Sequence, residues 1–481
     1  TFISRVLGYV KDMILAAYFG ATGVSDAFFV AFRIPNLLRE LFAEGSMSSA
    51  FIPVLTEYRT KHGEEEAKRL VRITFTFILI LVGAICFAGI IFAPAIVTAI
   101  APGPEFLKKP WKFALTISLT KIMFPFLLFI SLAALVMGAL NTRRVFFVPA
   151  LAPALLNVSI ITTVVFLASG MKQPIISVAI GVTLGGFIQF AFQLPSFFKN
   201  KYSLSPAYDF RHPGLKRMSI LILPATMGMA VAQINIFVST ILATYLPEGS
   251  ITYLYYSMRL IQFPIGIFGV SMGMAILPAL SEHAVKGEFE KLRDDFSFAL
   301  RLLFFVSVPS MAGLIALREP IVNLLFQRGT FDYAATMGTA DALLFYSLGI
   351  WAIVGVRVIT VSFYSMQDTR TPVKIAVVAL LTNIIMSLIL MGPLKHSGLA
   401  FANAIASSVN FFLLFYFLRR KLERIDARRI IKSFTNVCLA SALMCLAGWF
   451  LLHGELWRQC GRSMEKAGYL SGVIIMCTAL Y

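Results

Sequence analysis

Apolar runs of 18 or more residues recur along the whole 481-residue chain, and this feature limits the possible folds most strongly. A helix satisfies its backbone hydrogen bonds internally, so about 20 apolar residues in helical form can cross the hydrocarbon core of a bilayer. Hydrophobic residues make up 58% of the chain and charged residues only 14%, whereas a soluble domain carries about 25% charged residues. The sequence therefore predicts an all-α polytopic membrane protein.

The apolar runs divide into about fourteen predicted transmembrane helices. Their approximate bounds are 1–19, 24–56, 73–100, 113–140, 146–169, 174–198, 218–246, 250–280, 294–317, 338–366, 372–393, 397–418, 430–452 and 466–481. Alternate connections hold 25 of the 42 Lys and Arg residues, and the other connections hold ten, among them Lys112 and Lys466. Because basic residues remain on the cytoplasmic side and the number of spans is even, both termini are expected in the cytoplasm. The net charge of +18 is then a topology signal, and no nucleic-acid partner is expected.

The sequence also contains an internal repeat of about 226 residues. LAAY at 15–18 matches LATY at 242–245, and NTR at 141–143 matches DTR at 368–370. Each half would hold six spans in the same orientation, an arrangement typical of transporters with a substrate site between the halves. The predicted domains are an N-terminal six-helix lobe at 1–200, a C-terminal six-helix lobe at 201–422, and two additional helices at 423–481.

Seven basic residues remain inside the predicted spans, accompanied by four acidic residues in the first two spans. The basic residues are Arg5, Lys11, Arg33, Arg39, Lys121, Arg259 and Arg357, and the acidic residues are Asp12, Asp26, Glu40 and Glu44. Each charge costs at least about 2.5–3.5 kcal/mol at the bilayer centre, so it must face a partner or a wet cavity.

Two interpretations of these charges compete. Arg33, Glu40 and Lys121 are expected to form structural ion pairs or to extend toward the interface. Arg5, Lys11, Arg39 and Arg259 come from three different spans, and together they predict a site for an anion. Arginine binds phosphate through two parallel hydrogen bonds and lysine binds it as a point charge.

No sequence pattern indicates an enzyme. We find no nucleotide-binding loop and no credible pair of nucleophile and base, and the five Cys and five His lack the spacing of metal ligands or disulfides. We therefore expect no catalysis, no cofactor and no metal site, and we interpret the cysteines as small core residues.

Three stretches resemble the MurJ (MviN) family of lipid II flippases, which belongs to the multidrug/oligosaccharidyl-lipid/polysaccharide exporter superfamily. They are FISRVLGYVKD at 2–12, SDAFFVAFRIPNLLRELFAEGSMSSAFIPVL at 25–55 and LLFQRGTFD at 324–332. The resemblance covers essentially the whole chain. It implies a protein of the bacterial inner membrane that acts as a monomer and moves undecaprenyl-pyrophosphate carrying a disaccharide-pentapeptide (lipid II) by alternating access.

The resemblance also implies which residues bind the substrate. The cationic cavity positions of the family correspond to Arg5, Arg39 and Arg259, and Lys11 stands where the family usually has arginine. Supporting cavity residues correspond to Asp12, Asp26, Asn36 and Glu44, and Glu44 with Gly45 is also expected to break the second helix. The last two helices would form a groove for the lipid tail.

Sodium coupling is not expected, although a sodium site is reported for some family members. Asn235 and Asn383 stand near the corresponding positions, without the acidic residues that a hard cation favours. The membrane potential is an alternative driving force, since each charge moved across 100 mV gains about 2.3 kcal/mol.

Two related functions remain as alternatives. A multidrug antiporter of the same superfamily would have about twelve spans and a cavity dominated by carboxylates, which disagrees with the arginine-rich pattern. A flippase for another polyprenyl-diphosphate oligosaccharide is chemically closer, and only the specific motifs separate it from a lipid II flippase.

Overall fold

The computed structural model of the chain describes residues 2–40, 47–423, 425–451, 457, 461 and 463–481. Helices dominate these residues, and no β-strand occurs among them. The chain forms two compact units, Thr1–Tyr245 and Leu246–Tyr481. The all-α prediction is confirmed. The predicted domain limits near residues 200 and 422 came from the repeat, not from packing, and they stay predictions.

Unit 1 contains eleven helices in its described part. They are α1 (Phe2–Phe19), α2 (Gly23–Arg39), α3 (Met47–Lys61), α4 (Glu64–Ile91), α5 (Ala93–Ile100), α6 (Pro104–Leu107), α7 (Pro110–Thr142), α8 (Phe147–Leu167), α9 (Ile176–Ala191), α10 (Leu194–Lys199) and α11 (Pro213–Ala243). Helix α7 lies at the centre, because it packs against α2, α3, α4 and α9. Small residues allow this close packing: a Cβ atom at Gly186 of α9 would lie 2.7 Å from the Phe126 ring of α7.

Unit 2 begins with one long helical stretch, α12 (Ser250–Pro264), a π-helical turn (Ile265–Gly269) and α13 (Val270–Lys286). The remaining helices are α14 (Phe289–Ala316), α15 (Arg318–Phe326), α16 (Tyr333–Ser347), α17 (Ile350–Ser365), α18 (Arg370–Lys421), α19 (Ala427–Leu451) and α20 (Ser463–Leu480). An aromatic cluster of Phe304, Trp351, Phe411 and Phe434 joins α14, α17, α18 and α19.

Helix α18 is a helical hairpin, not one straight rod. A straight helix of 52 residues would extend about 78 Å, more than twice the hydrocarbon thickness. The break is at Lys395, which has φ 52° and ψ −131°, and Gly398 beyond it packs closely on the backbone of Leu390. The predicted spans 372–393 and 397–418 lie on the two sides of this break.

Eight helices of the described residues are long and apolar enough to cross a membrane, and the pair α16–α17, bent by 41°, makes a ninth. The chain is therefore a multi-pass membrane protein. Helix α1 is not among the eight, since it carries Arg5, Lys11 and Asp12, and α2 has only 17 residues. The count of fourteen spans stays a prediction.

Lys112 and Lys466 were counted with the connections from the sequence, whereas both lie within helices in the structure. Both side chains are buried, with 4% and 2% of their surface exposed. Lys112 lies in the first turn of α7 and Lys466 in the first turn of α20. Hydropathy places such residues in loops because they flank the apolar run, but their side chains turn inward to polar partners.

A pH-dependent contribution to stability is expected from Asp368, in the connection between α17 and α18. Lys421 donates to its carboxylate at 2.8 Å, and the backbone N–H of Thr371 donates at 3.1 Å. Burial raises the pKa of this carboxyl, but the hydrogen bonds outweigh burial and lower the pKa from 3.8 to about 2. Because the folded pKa lies below the unfolded value, the stabilisation is present above the unfolded pKa and is lost as the pH falls through the folded one.

We therefore expect Asp368→Asn to reduce the free energy of unfolding by about 1–2 kcal/mol near neutral pH, after allowing for partial exposure to water. The difference from the unmutated protein should shrink between about pH 4 and pH 2. Thermal unfolding of both proteins in detergent across this range measures it. A difference that does not change with pH would contradict the assigned ion pair.

Candidate functional site

The first charged pair of unit 1 lies in the middle of α1. Lys11 Nζ is 3.0 Å from the Asp12 carboxylate, and both side chains are buried. Asp12 therefore pairs with the cation beside it. Arg5 lies about 9 Å farther toward the start of the same helix, and its side chain is exposed.

Arg39 lies at the C-terminal end of α2, within a small polar network. Its Nε donates to Asn36 Oδ1 at 3.1 Å, and Asn36 Nδ2 donates to Glu40 Oε1 at 2.9 Å. Gln233 of α11 donates to the other carboxylate oxygen of Glu40. Arg39 is therefore oriented by Asn36, and Glu40 connects this network to Gln233 of α11. The structural role predicted for Glu40 stays a prediction.

The ion pair between Arg39 and Glu40 is loose and partly accessible. The closest nitrogen–oxygen distance is 3.6 Å, which is too long for a hydrogen bond, and the two side chains are 19% and 30% exposed. Replacement of this contact by another anion costs less desolvation than for a fully buried pair, because both groups are partly exposed. Arg39 is thus positioned to exchange one anionic partner for another.

Asp26, at the opposite end of α2, has a different environment. Its carboxylate is 3.0 Å from Lys112 Nζ of α7, and the two side chains are only 2% and 5% exposed. Lys112 also lies over the Phe106 ring, 4.6 Å from its centroid. Since thirteen residues of helix separate Asp26 from Arg39, the two side chains lie about 20 Å apart along the axis.

The intermediate position on α2 is Arg33, seven residues from both Asp26 and Glu40. Its Nε donates to the hydroxyl of Thr240 on α11 at 3.1 Å. A spacing of seven residues places Asp26, Arg33 and Glu40 on one face of a regular helix. In unit 1 each of these residues contacts a different partner, and the structural role expected for Arg33 stays a prediction. Glu44 and Gly45 lie outside the described residues.

In unit 2 the predicted site residue is Arg259 on α12. Its side chain is half-buried, and Nη1 lies 3.5 Å from Gln262 Oε1 one turn later. Pro264 and the π-helical turn follow directly. Such turns are uncommon and often occur at functional positions.

A second arginine of unit 2 lies beside the same turn. Arg357 of α17 packs its methylene chain against Gly269, where a Cβ atom would lie 3.2 Å from Arg357 Cδ. Its side chain is exposed. Sequence reasoning recognised Arg357 as a charge within a span but assigned no role to it. The only signal in the sequence for this contact was the glycine at position 269, which leaves room for the Arg357 side chain.

The two candidate residues for sodium lie on different helices, Asn235 on α11 and Asn383 on α18. Asn383 is buried, and its Oδ1 accepts a hydrogen bond from Ser387 at 2.9 Å. Among the described residues, no group of three or more His, Cys, Asp or Glu side chains could hold a metal ion. The proposal that this chain uses no sodium stays a prediction.

Sequence reasoning missed the two buried lysines, Lys112 and Lys466, because each partner is distant in the chain. Asp26 precedes Lys112 by 86 residues, and Asn323 precedes Lys466 by 143 residues. In the sequence, the only local indication of a buried lysine was its position at the edge of an apolar run. Chemically, the described groups provide cations and hydrogen-bond donors that suit binding of an anion.

The matches to known proteins agree with each other. The family model described as "Lipid II flippase MurJ" matches residues 15–459. The "Lipid II flippase MurJ" of Burkholderia cenocepacia is 34% identical, and the match covers 100% of this chain and 94% of that protein. The "Probable lipid II flippase MurJ" of Vibrio cholerae is 36% identical, with coverage of 100% and 93%.

Solved structures support the same fold. A structure titled "Lipid II flippase MurJ, inward closed conformation" matches with a TM-score of 0.82 and 28% identity, and the match covers 100% of this chain and 97% of that one. An inward-facing multidrug resistance MATE family transporter of the MOP superfamily matches with a TM-score of 0.73 at 16% identity, over 87% and 94% of the chains. The second likeness concerns the fold alone.

Proposed function

The chain belongs to the lipid II flippase MurJ family, and on this basis we propose that it moves lipid II across the bacterial inner membrane. Both termini lie in the cytoplasm, and the protein acts as a monomer. The headgroup crosses the membrane through alternating access while the prenyl tail remains in lipid, against the groove of α19 and α20. No covalent chemistry is required, so the protein is a transporter and not an enzyme.

The assignment of the substrate contacts rests on a difference in exposure between the charged residues at the two ends of α2. The Asp26–Lys112 pair is almost completely buried, whereas Arg39 and Glu40 are partly exposed and loosely paired. A buried ion pair exchanges partners at a high desolvation cost, and an accessible pair does so at a low cost. Arg39 is therefore the cation of α2 that binds the diphosphate.

The other proposed substrate contacts are Arg5, Lys11 and Arg259. Arginine at Arg5, Arg39 and Arg259 gives two parallel hydrogen bonds to a phosphate, whereas Lys11 contributes a point charge. Asp12 holds Lys11 in place when no substrate is bound. In this assignment Asp26 positions α2 through Lys112 and does not touch the diphosphate. Asn36 orients Arg39, and Glu44 is a supporting cavity residue.

Charge compensation drives the conformational cycle in this proposal. Cations that repel one another disfavour the closed state, and the bound diphosphate removes this repulsion. The substrate shifts the conformational population only as far as it binds the closing state more tightly than the open state. The membrane potential is the alternative to sodium as a driving force, at about 2.3 kcal/mol per charge moved across 100 mV.

We expect the chain to restore growth and normal shape to a bacterium from which the native lipid II flippase has been depleted. The control is an empty vector expressed in parallel, with membrane insertion of the chain verified by immunoblotting. In the same cells, lipid II exposed on the outer leaflet is measured by its accessibility to an externally added lipid II-degrading enzyme. A well-inserted chain that leaves lipid II inaccessible would overturn the proposed function, and export of cationic drugs instead would favour the multidrug antiporter.

A further inference from the structure

A small polar cavity lies in unit 2, where α15, the connection after it and the beginning of α20 meet. Its volume is about 240 Å³, and it is lined by Asn323, Leu324, Gln327, Arg328, Gly329, Gly461, Ser463 and Lys466. The end of α15 and the connection after it form the stretch LLFQRGTFD at 324–332. This stretch carries part of the family resemblance and has no part in the proposed cation site. Sequence reasoning places this end of α15 on the side of the membrane opposite the cytoplasm.

Lys466 is built into one wall of the cavity. Only 2% of the residue is exposed, and its Nζ donates to Asn323 Oδ1 at 2.8 Å. The ammonium also lies over the Trp457 ring, 6.0 Å from the centroid. A lysine is buried at a high cost in free energy unless polar groups surround it, so this position requires a reason.

Asn323, the hydrogen-bond acceptor of Lys466, is itself fixed by hydrogen bonds to two other residues of unit 2. Its Nδ2 donates to Gln327 Oε1 and to the carbonyl oxygen of Trp457, both at 2.5 Å. Thr336 of α16 donates to the same oxygen of Gln327 at 3.1 Å. These bonds fix the position of the Lys466 ammonium before any ligand arrives, which lowers the entropic cost of binding.

Arg328 supplies a second positive charge to the lining. Its Nη2 donates to the carbonyl of Leu324 at 2.7 Å, and the side chain is half-buried. None of the eight lining residues is acidic, and Glu465, the acidic residue in the first turn of α20, is exposed. The first turn of α20 adds the positive end of a helix dipole, next to which a lysine is unfavourable and an anion favourable.

From this geometry we propose that the cavity binds a phosphate group. The lining combines two cations, a hydroxyl and amide donors around a space that is smaller than the roughly 300–1,000 Å³ of pockets for drug-sized ligands. It therefore fits one compact anion and not a disaccharide. Arginine and lysine together are typical of phosphate recognition. The phosphate comes from a lipid headgroup or from solution, and this proposal does not depend on the proposed transport function.

A purely structural alternative assigns the same residues to joining α20 to α15. In that case the Lys466–Asn323 hydrogen bond would matter for stability, but Arg328 would not, because it bonds only to its own helix turn among the contacts that the structure gives it. The proposal requires both residues for phosphate binding. Arg328→Gln is therefore the decisive variant, since it removes charge while leaving the Asn323 network intact.

The test uses the purified full-length protein in detergent, with inorganic phosphate as the probe and phosphorus NMR line broadening as the readout. Chloride is used to keep the ionic strength constant, because exposed charges are screened by salt. We expect phosphate to bind the unmutated protein and Arg328→Gln to weaken binding about tenfold or more, as for loss of one charged hydrogen bond. Lys466→Met should show the same loss, and Lys172→Gln, an exposed lysine of unit 1, serves as the matched control.

The outcomes separate the interpretations. Helix content measured by circular dichroism shows whether the Lys466→Met protein is folded. If it is misfolded, the phosphate affinity of Arg328→Gln alone tests the proposal. No binding to the unmutated protein, or equal binding by Arg328→Gln, would overturn the proposal. Repeating the titration in nanodiscs distinguishes the source: weaker phosphate binding in phosphatidylglycerol than in phosphatidylcholine indicates a lipid headgroup, and equal binding indicates a free phosphate.

Discussion

Replacing Arg39 by alanine is expected to abolish the ability of the chain to restore growth after depletion of the native lipid II flippase. Arg39 is the partly exposed cation at the end of α2, oriented by Asn36 and loosely paired with Glu40. In our proposal it forms two hydrogen bonds to the diphosphate, and charged hydrogen bonds contribute about 1.5–3 kcal/mol each. Arg39→Ala removes both bonds, and the loss of even one should weaken diphosphate binding about 10–150-fold, which we expect to limit growth.

Two further variants make this result specific. Arg39→Lys keeps the charge but loses the parallel pair of hydrogen bonds, so we expect partial rescue at best. Arg420→Ala removes an exposed arginine near the end of α18, and it should grow like the unmutated protein. Full growth with Arg39→Ala, at equal levels of protein in the membrane, would remove Arg39 from the substrate site.

Breaking the buried pair between Asp26 and Lys112 produces the largest expected loss of stability. Removal of one partner leaves the other charge buried without compensation, which costs about 3–5 kcal/mol. We therefore expect Asp26→Asn and Lys112→Met, each alone, to lower the thermal unfolding midpoint in detergent strongly. The double variant should recover part of this loss, because no uncompensated charge is then buried, although an amide facing an apolar side chain still carries a cost smaller than that of a charge.

The double variant also separates structure from function. If Asp26 only positions α2 through Lys112, a stable double variant restores growth in the depleted strain. If the double variant is stable but does not restore growth, Asp26 belongs to the substrate site, as the family resemblance implied. Lys108→Met, an exposed lysine just before α7, is the matched control and should leave the unfolding midpoint unchanged. Equal stability of the two single variants and the unmutated protein would contradict the importance of the pair.

Much of the fold could be predicted from local composition. A long apolar run with few charges determines a membrane-crossing helix wherever it occurs, since the bilayer leaves few alternatives for the backbone. The hairpin of α18 illustrates this, because its break at Lys395 falls between two runs that the sequence separates. The π-helical turn after Pro264 could not be predicted, because it depends on how the long helix packs against α17.

The candidate site could be predicted only in part. The residue types and their concentration in α1 and α2 were visible in the sequence. The partner of Asp26 was not visible, because Lys112 stands at the edge of a distant apolar run. A spacing of seven residues in α2 determines which side chains lie on the same face of the helix. It does not determine which partner each side chain contacts.

By itself, the sequence determined that this chain is an all-α membrane protein and which charges it carries into the membrane, because both follow from local hydropathy and the high cost of a buried charge. Only the tertiary structure decided which of those charges remain accessible. Asp26 and Lys112 neutralise each other in the core of unit 1, whereas Arg39 and Glu40 stay loosely paired within reach of water. The accessibility of a charged side chain depends on contacts between helices that are far apart in the chain. A local sequence pattern cannot predict such contacts.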